Sequence, residues 1–248
     1  IEDHYTLLTD YEGNSLRTFY IDKKGYIWFG TIDGIYIFDP TDGKLSHYKH
    51  SRTDPFSLPN NSIWEISEDR QSNVWIGTYS GTLCYVNIDE NNAFKTYHPQ
   101  NSGLNHTPVS AFAEDQQYLW VGTEGGGINR MNKATGEFSY ITSANSITSN
   151  NIKSLITDAG HNLWISTFMG GLDLYNVGRQ KVTNFKHTKG APHSLLVNDV
   201  RKTILEGDSG MWVAYQYQKA EVSYFSFREE SFTHFSLDSI SNNSYLFD

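Results

Sequence analysis

The pentapeptide Ile27-Trp28-Phe29-Gly30-Thr31 decides the fold, because close variants of it return four times along the chain. The later copies also read apolar, Trp, apolar, small, and they are Val74–Thr78, Leu119–Thr123, Leu163–Thr167 and Met211–Tyr215. Their tryptophans lie 47, 45, 44 and 48 residues apart. A period in the mid-forties, filled with short alternating segments, is typical of β-propeller blades.

Each repeat divides into four short strands. In the second repeat they are Ser62–Ser67, the Trp-bearing strand to Thr78, Leu83–Asn87 and Phe94–Tyr97. Polar turns separate the strands, with Gly at the hairpins, where positive φ costs it nothing. The sequence therefore predicts an all-β chain of four-stranded antiparallel propeller blades, and no stretch shows a useful helical period.

Strand counting predicts five complete blades and one additional strand at each end. The blades are expected at residues 14–50, 60–98, 107–141, 150–187 and 198–236, and the additional strands at 4–9 and 243–248. Because two single strands do not make a blade, we expect the chain to be a slice of a longer repeat array, with neighbouring repeats as its partners.

Composition excludes several classes of partner. The formal net charge of -9 argues against nucleic acid and anionic membrane surfaces, which select basic proteins. The single cysteine, Cys84, excludes an intrachain disulfide and a multi-cysteine metal site. No window approaches 18 apolar residues, so no membrane span is predicted. The chain starts at Ile1 without Met, so a missing targeting signal carries no weight.

Acidic residues recur at the turn after each first strand, and we interpret them as structural. They are Asp22, Glu68, Asp69, Glu114, Asp115, Asp158 and Glu206. A catalytic pair would occur once rather than in every blade, and Asp at a turn bonds its own downstream amides. We therefore predict no catalytic residues in this segment.

Histidines suggest a metal site but lack tight ligand spacing. Those considered are His47, His50, His98, His106, His161, His187, His193 and His234, which fall mostly in outer strands and loops. Solvated loop histidines explain them better, so no metal and no cofactor are predicted.

One position of the first strand varies from repeat to repeat, although its neighbours follow a constant pattern. The first strands share an aliphatic residue, and the residue after it is Arg17, Trp64, Ser110, Lys153 or Arg201. First strands are innermost in a propeller, so these side chains can point into a shared cavity.

Our hypothesis is that Arg17, Lys153 and Arg201, with Trp64 as a stacking platform, bind an acidic glycan or another polar ligand. The alternative, a solvated polar rim, stays open. The hairpin residues Tyr79, Phe168, Tyr215 and Tyr217 are secondary ligand-binding candidates on the same face.

The segment Leu58–Ile63 (Leu-Pro-Asn-Asn-Ser-Ile), followed by Glu68-Asp69 and Val74–Thr78, resembles the two-component regulator propeller repeat. The pattern recurs as Asn150-Asn151-Ile152 with Leu163-Trp164 and Gly170-Gly171-Leu172, and the resemblance covers essentially all of the chain. In the fifth copy, Tyr215-Gln216-Tyr217-Gln218 replaces the Thr and the glycine hairpin. This departure marks either an atypical blade or a loop adapted for binding.

The resemblance implies the periplasmic sensor region of a hybrid two-component system, with a histidine kinase elsewhere in a dimeric receptor. It further implies oligosaccharide ligands released from complex glycans, and control of the transcription of glycan-utilisation genes. Two alternatives from other classes remain, a propeller lyase or glycosidase and a protein-interaction scaffold. An enzyme would need a unique acid/base set, and none stands out. Fold alone does not choose among the three.

Overall fold

The computed structural model describes residues 15–79, 82–87, 91–216 and 221–236, with the backbone alone at 91 and 92. Regular structure in these ranges consists of twenty strands in five four-stranded antiparallel sheets, each with its strands in chain order. The prediction of an all-β chain built of propeller blades is confirmed. The additional strands predicted at 4–9 and 243–248 lie outside the described residues.

The chain divides into two compact units, residues 1–98 and 99–248. The first unit contains two blades. Blade 1 comprises β1 Leu16–Ile21, β2 Ile27–Thr31, β3 Gly34–Asp39 and β4 Lys44–Tyr48. Blade 2 comprises β5 Ile63–Glu68, β6 Val74–Thr78, β7 Leu83–Asn87 and β8 Asn91–Tyr97.

The second unit contains three blades. Blade 3 comprises β9 Val109–Glu114, β10 Tyr118–Thr123, β11 Gly127–Asn132 and β12 Phe138–Ile141. Blade 4 comprises β13 Ile152–Thr157, β14 Leu163–Thr167, β15 Gly171–Asn176 and β16 Lys181–Phe185. Blade 5 comprises β17 Val200–Glu206, β18 Gly210–Tyr215, β19 Glu221–Ser226 and β20 Ser231–Ser236.

An aspartate at the end of the first strand binds the tryptophan of the second strand in four of the blades. The indole Nε1–H donates to the carboxylate in each pair, at 2.9 Å for Trp28–Asp22, 2.8 Å for Trp75–Asp69, 3.1 Å for Trp120–Asp115 and 3.0 Å for Trp164–Asp158. The other oxygen of Asp22 accepts the backbone amides of Lys24 and Tyr26. The interpretation of these aspartates as turn residues is thereby confirmed.

Blade 5 departs from this arrangement. Its first strand ends in Glu206, and within the described ranges the Trp212 indole forms no such hydrogen bond. The Trp212 side chain is 37% exposed and packs against Tyr224 and Phe235 of its own blade. The fifth blade is therefore atypical at the tryptophan as well as at the hairpin.

Three of the repeat tryptophans, Trp28, Trp120 and Trp164, fill the contacts between neighbouring blades of one unit, whereas Trp75 packs against Tyr85 and Tyr97 of its own blade. Trp28 lies in a buried cluster with Leu58 and Ile63 of the following blade. Trp120 packs with Ile152 and Tyr175 of blade 4 in the same way. The prediction that these indoles pack between sheets is confirmed for these blades.

A small residue after the tryptophan lets the next blade approach closely. A Cβ on Gly122 would lie 2.6 Å from Ile152 Cγ2 and 3.2 Å from Ala111 Cβ, and a Cβ on Gly30 would lie 2.7 Å from Ile63 Cγ2. The aliphatic side chain of each following first strand therefore occupies the space that a larger residue would need. This explains the small residue after the Trp-apolar pair.

Substitution Gly122→Ala should lower the free energy of unfolding by about 2 kcal/mol, because the methyl group overpacks the contact with Ile152. Chemical denaturation would measure the change. Gly178→Ala is the matched control in the same unit, since its nearest atom would lie 3.8 Å away. Equal effects at the two glycines would contradict the close-packing explanation.

Substitution Asp22→Ala should cost about 2 kcal/mol, because it leaves the Trp28 indole N–H buried without an acceptor and opens the turn. Asp42→Ala removes an exposed turn carboxylate that accepts the Lys44 amide, and it should cost about 0.5 kcal/mol. Urea titrations measure the free energy of unfolding of the two variants. A loss for Asp22→Ala as small as that for the control would refute the role assigned to Asp22.

Candidate functional site

Every first strand carries a register shift at one residue, and that residue is the variable position identified in the sequence. In blade 2, Ile63 pairs with Thr78 and Glu65 pairs with Gly77, so Trp64 is left as a bulge. The bulged residues of the five blades are Arg17, Trp64, Ser110, Lys153 and Arg201. Bulges re-aim a side chain and are enriched next to functional sites.

In blades 2 and 4, burial of the preceding aliphatic residue fixes the direction of the bulge, whereas Leu16, which precedes Arg17 in blade 1, is 52% exposed. Ile63 and Ile152 are fully buried against the preceding blade of their own unit, whereas Trp64 and Lys153 are partly exposed. The hairpin after the Trp-bearing strand is hydrogen-bonded to the start of the first strand, because the Tyr79 amide donates to the Ser62 carbonyl at 2.9 Å. The bulged residue and the first hairpin residue are therefore neighbours in blades 2 and 4, as Trp64 with Tyr79 and Lys153 with Phe168.

The first unit brings three of the predicted site residues into one stack. The Arg17 guanidinium carbon lies 5.4 Å from the centre of the Trp64 ring. Trp64 and Tyr79 stack with ring centres 5.0 Å apart and an interplanar angle of 13°. Tyr79 is 53% exposed and Arg17 is also exposed, so the stack presents a cationic and aromatic surface to solvent.

The second unit surrounds Lys153 differently. Its ammonium group is ion-paired with the Glu124 carboxylate and lies 5.5 Å from the centre of the Phe168 ring. Glu124 follows Thr123 as Tyr79 follows Thr78, so it is the hairpin residue of blade 3. Lys153 is therefore neutralised by an acidic residue of the neighbouring blade, and it is a weaker anion receptor than Arg17.

Asp199 adds a second carboxylate to this group, immediately before Val200. Burial raises the pKa of the Asp199 carboxyl, and the positive charges of Lys153 and Arg201 partly offset that effect. Its Oδ1 atom is buried, and no hydrogen-bond partner for it lies within the described part of the chain. Arg201 itself is exposed. The two cations and two carboxylates of this group balance in charge.

The remaining predicted residues have other positions. Tyr215 is 8% exposed, and its hydroxyl is hydrogen-bonded to Ser223 Oγ at 2.7 Å. Burial raises the pKa of the Tyr215 hydroxyl. This residue therefore packs in the core of blade 5 and not on an open surface. Ser110 is also buried and donates to the Ile152 carbonyl. Tyr217 lies outside the described residues.

Sequence reasoning missed Glu124 and Asp199. Glu124 could have been identified from the sequence, because it occupies the same hairpin position as Tyr79 and Phe168. Asp199 had none, because Ser62, Pro108 and Asn151 precede the equivalent aliphatic residues and share no chemistry with it.

Two of the histidines hold loops between blades. His50 Nδ1 lies 2.7 Å from the Leu58 carbonyl, and His187 Nδ1 lies 2.7 Å from the Leu195 carbonyl. Leu58 and Leu195 are buried in the cores beneath these loops. In the described ranges, no three His, Cys, Asp or Glu side chains are grouped so as to hold a metal ion.

The blade architecture is shared with extracellular domains from B. thetaiotaomicron. One is that of BT3049, assigned to a hybrid two-component system, with a TM-score of 0.76, 20% identity and coverage of 93% of this chain and 30% of that chain. Another is that of BT4673, with a TM-score of 0.72, 23% identity and coverage of 91% and 31%. At these identities the likeness establishes the β-propeller class of the fold.

The particular repeat is identified from sequence. The family described as "Two component regulator propeller" matches residues 10–33 and 57–80. Histidine kinase P4 of Formosa agariphila is 27% identical over 201 residues, covering 75% of this chain and 14% of that protein. These two segments of the chain therefore match the two-component regulator propeller repeat that the sequence was predicted to resemble.

The chain is much shorter than the proteins it matches, spanning 14% of the curated relative and about 30% of the similar extracellular domains. Within the described ranges, no helix has the length and apolar character needed to cross a membrane.

Substitution Asp199→Asn should stabilise the protein more at pH 7 than at pH 4. Because burial raises the pKa of Asp199, the folded state keeps a proton that the unfolded chain releases from about pH 4 upwards. The free energy of unfolding therefore falls as pH rises through the folded value, and asparagine removes this loss. Denaturation at both pH values measures the difference, with Glu229→Gln as an exposed control. A gain for Asp199→Asn that is independent of pH would contradict this assignment.

Proposed function

We propose that this chain is a ligand-sensing propeller segment in the periplasmic sensor region of a hybrid two-component system. Its ligand is an oligosaccharide from a complex glycan, and the output is the transcription of glycan-utilisation genes. The repeats and the histidine kinase relative support the sensor role. The extracellular placement of similarly folded domains supports the periplasmic location.

The stack of Arg17, Trp64 and Tyr79 is the observation that carries the ligand class. Sugar rings present faces of C–H groups that pack on aromatic rings, and Tyr79 offers an exposed ring. Trp64 holds that ring nearly parallel to its own, so the surface is organised before the ligand arrives.

Arg17 makes an acidic sugar the best-fitting ligand. Its planar guanidinium matches a carboxylate or a sulfate, and it forms no ion pair within the described residues. By contrast, Lys153 is engaged by Glu124, and Arg201 lies near Asp199. Of the three cations predicted to bind the ligand, Arg17 is therefore the strongest candidate.

Signalling follows from differential binding. A ligand that stabilises one arrangement of repeats or of dimer partners biases the kinase equilibrium by its difference in affinity for the two states. In the full-length receptor, which we propose to be a homodimer, the same repeats contact neighbouring propeller repeats. The segment itself needs no catalytic group for this role.

Isothermal titration against a panel of neutral and acidic oligosaccharides should find saturable binding of an acidic member, without product formation. Trp64→Ala and Tyr79→Ala should each weaken it about fivefold, since loss of one aromatic contact costs about 1 kcal/mol. Arg17→Ala should reduce the preference for acidic over neutral sugars. Phe56→Ala is the control in the same unit, because it removes an exposed aromatic side chain outside the stack.

Cleavage of a panel member would replace the sensor proposal with a lyase or glycosidase. Binding that is unchanged in both Trp64→Ala and Tyr79→Ala would remove the stack from the proposal.

A further inference from the structure

A pocket of about 500 Å³ lies in the second unit, between blades 4 and 5 and away from the bulged residues. Its wall is aromatic and includes Trp164, Phe185 and Phe227. Trp164 stacks with Phe185 at 5.7 Å and with Phe227 at 5.5 Å between ring centres. The lining also includes three carboxylates, Asp158, Asp208 and Glu230, and no Lys or Arg among the described residues.

Two of these carboxylates are available to a ligand. Asp158 is engaged by the Trp164 indole and by Asn162. Asp208 and Glu230 are exposed at turns of blade 5, and neither forms a side-chain hydrogen bond or ion pair within the described part of the chain. The pocket thus combines an aromatic wall with uncompensated negative charge, which is the environment that favours an organic cation.

Blade 3 offers a comparison, because a guanidinium group lies over its aromatic rings at the equivalent position. In each blade, one residue of the third strand pairs directly with the repeat tryptophan, and it is Leu174 in blade 4 and Arg130 in blade 3. The Arg130 guanidinium carbon lies 4.6 Å from the Tyr118 ring centre and 5.8 Å from that of Trp120. In blade 3 the chain therefore places its own guanidinium over the aromatic rings, at the position where blade 4 has only Leu174.

The corresponding pocket of blade 1 carries its own cation. It measures about 200 Å³ and is lined by Trp28, Ile37 and Lys44, together with Asp39 and Asp42. Ile37 pairs with Trp28 as Leu174 pairs with Trp164. The pocket of blade 4 is the larger of the two and lacks the lysine.

We propose that the pocket between blades 4 and 5 binds a guanidinium group, with the cation over the aromatic wall and its N–H groups donating to Asp208 and Glu230. The guanidinium belongs either to a small molecule or to an arginine side chain of a peptide. This site differs in position and charge from the stack at Arg17, so the two proposals stand or fall separately.

Propylguanidinium and its neutral isostere N-propylurea are the direct probes. In ¹H–¹⁵N NMR titrations, propylguanidinium should shift the Trp164 indole resonance saturably, whereas propylurea should not. The resonance is assigned with Trp164→Phe. Higher ionic strength should weaken the binding, because the carboxylates are exposed. Equal shifts with the two probes would overturn the proposal.

Three variants test whether the probe binds in the pocket between blades 4 and 5. Asp208→Asn combined with Glu230→Gln should weaken it about tenfold. Leu174→Arg should abolish it by supplying the internal guanidinium of blade 3. Asp42→Asn, in the corresponding pocket of blade 1, should leave the affinity unchanged. Wild-type affinity in the double variant would refute the site, and that test does not depend on how Leu174→Arg folds.

The peptide acetyl-Gly-Arg-Gly-amide distinguishes the two sources. Tighter binding of the peptide than of propylguanidinium would assign the site to an arginine side chain of a protein or peptide. Equal affinity of the two would assign it to a small guanidinium compound. A failure of both probes to bind would overturn the proposal while leaving the oligosaccharide proposal untouched.

Discussion

The hydrogen bond from the repeat tryptophan to the aspartate of the preceding turn is the interaction on which four of the five blades depend. An indole buried between sheets needs an acceptor for its N–H, and a carboxylate close to the core needs donors. Asp22 satisfies both requirements. One of its carboxylate oxygens accepts the indole N–H of Trp28, and the other accepts the Tyr26 backbone amide and so closes the turn. One residue therefore sets the turn, the register of two strands and the position of the ring that fills the next contact.

Close contact between blades follows from that position. Once Trp120 is fixed, Gly122 two residues later leaves room for Ile152 of the next blade. Burial of Ile152 fixes the start of its strand, and the bulge at Lys153 turns the following side chain out of the contact. The outward direction of the Lys153 side chain is thus a consequence of the packing and needs no separate structural device.

Much of the fold could be predicted from sequence, because repetition converts weak local signals into a strong one. Five tryptophans in register gave the blades, and the recurring acids gave the turns. The chemistry at the bulged positions could not be predicted in the same way. The pairing of Lys153 with Glu124 joins two blades, so it depends on how sheets pack rather than on any spacing within a repeat.

Residues that break the repeat were the hardest to interpret. Tyr215 replaces a threonine whose hydroxyl in the other blades bonds the hairpin carbonyl, as Thr167 does with Gly171. Sequence alone left open an atypical blade and a loop adapted for binding, with Tyr215 as a secondary ligand-binding candidate. The structure shows the hydroxyl hydrogen-bonded to Ser223 inside the blade. A polar tip on a large aromatic body fits either environment, so its burial becomes clear only when the neighbouring strands are placed.

The bulge also bears on how such a module can acquire new specificity. A bulged residue is excluded from the ladder pairing, so replacing it leaves the strand register and the buried aliphatic neighbour unchanged. Arg17, Trp64 and Ser110 differ in charge, size and polarity, yet each follows the same frame. The variable side chain and the residues that set the strand register are therefore adjacent but separate. At the exposed bulge of Arg17, a single substitution can therefore change the chemistry of the surface without altering the strand register.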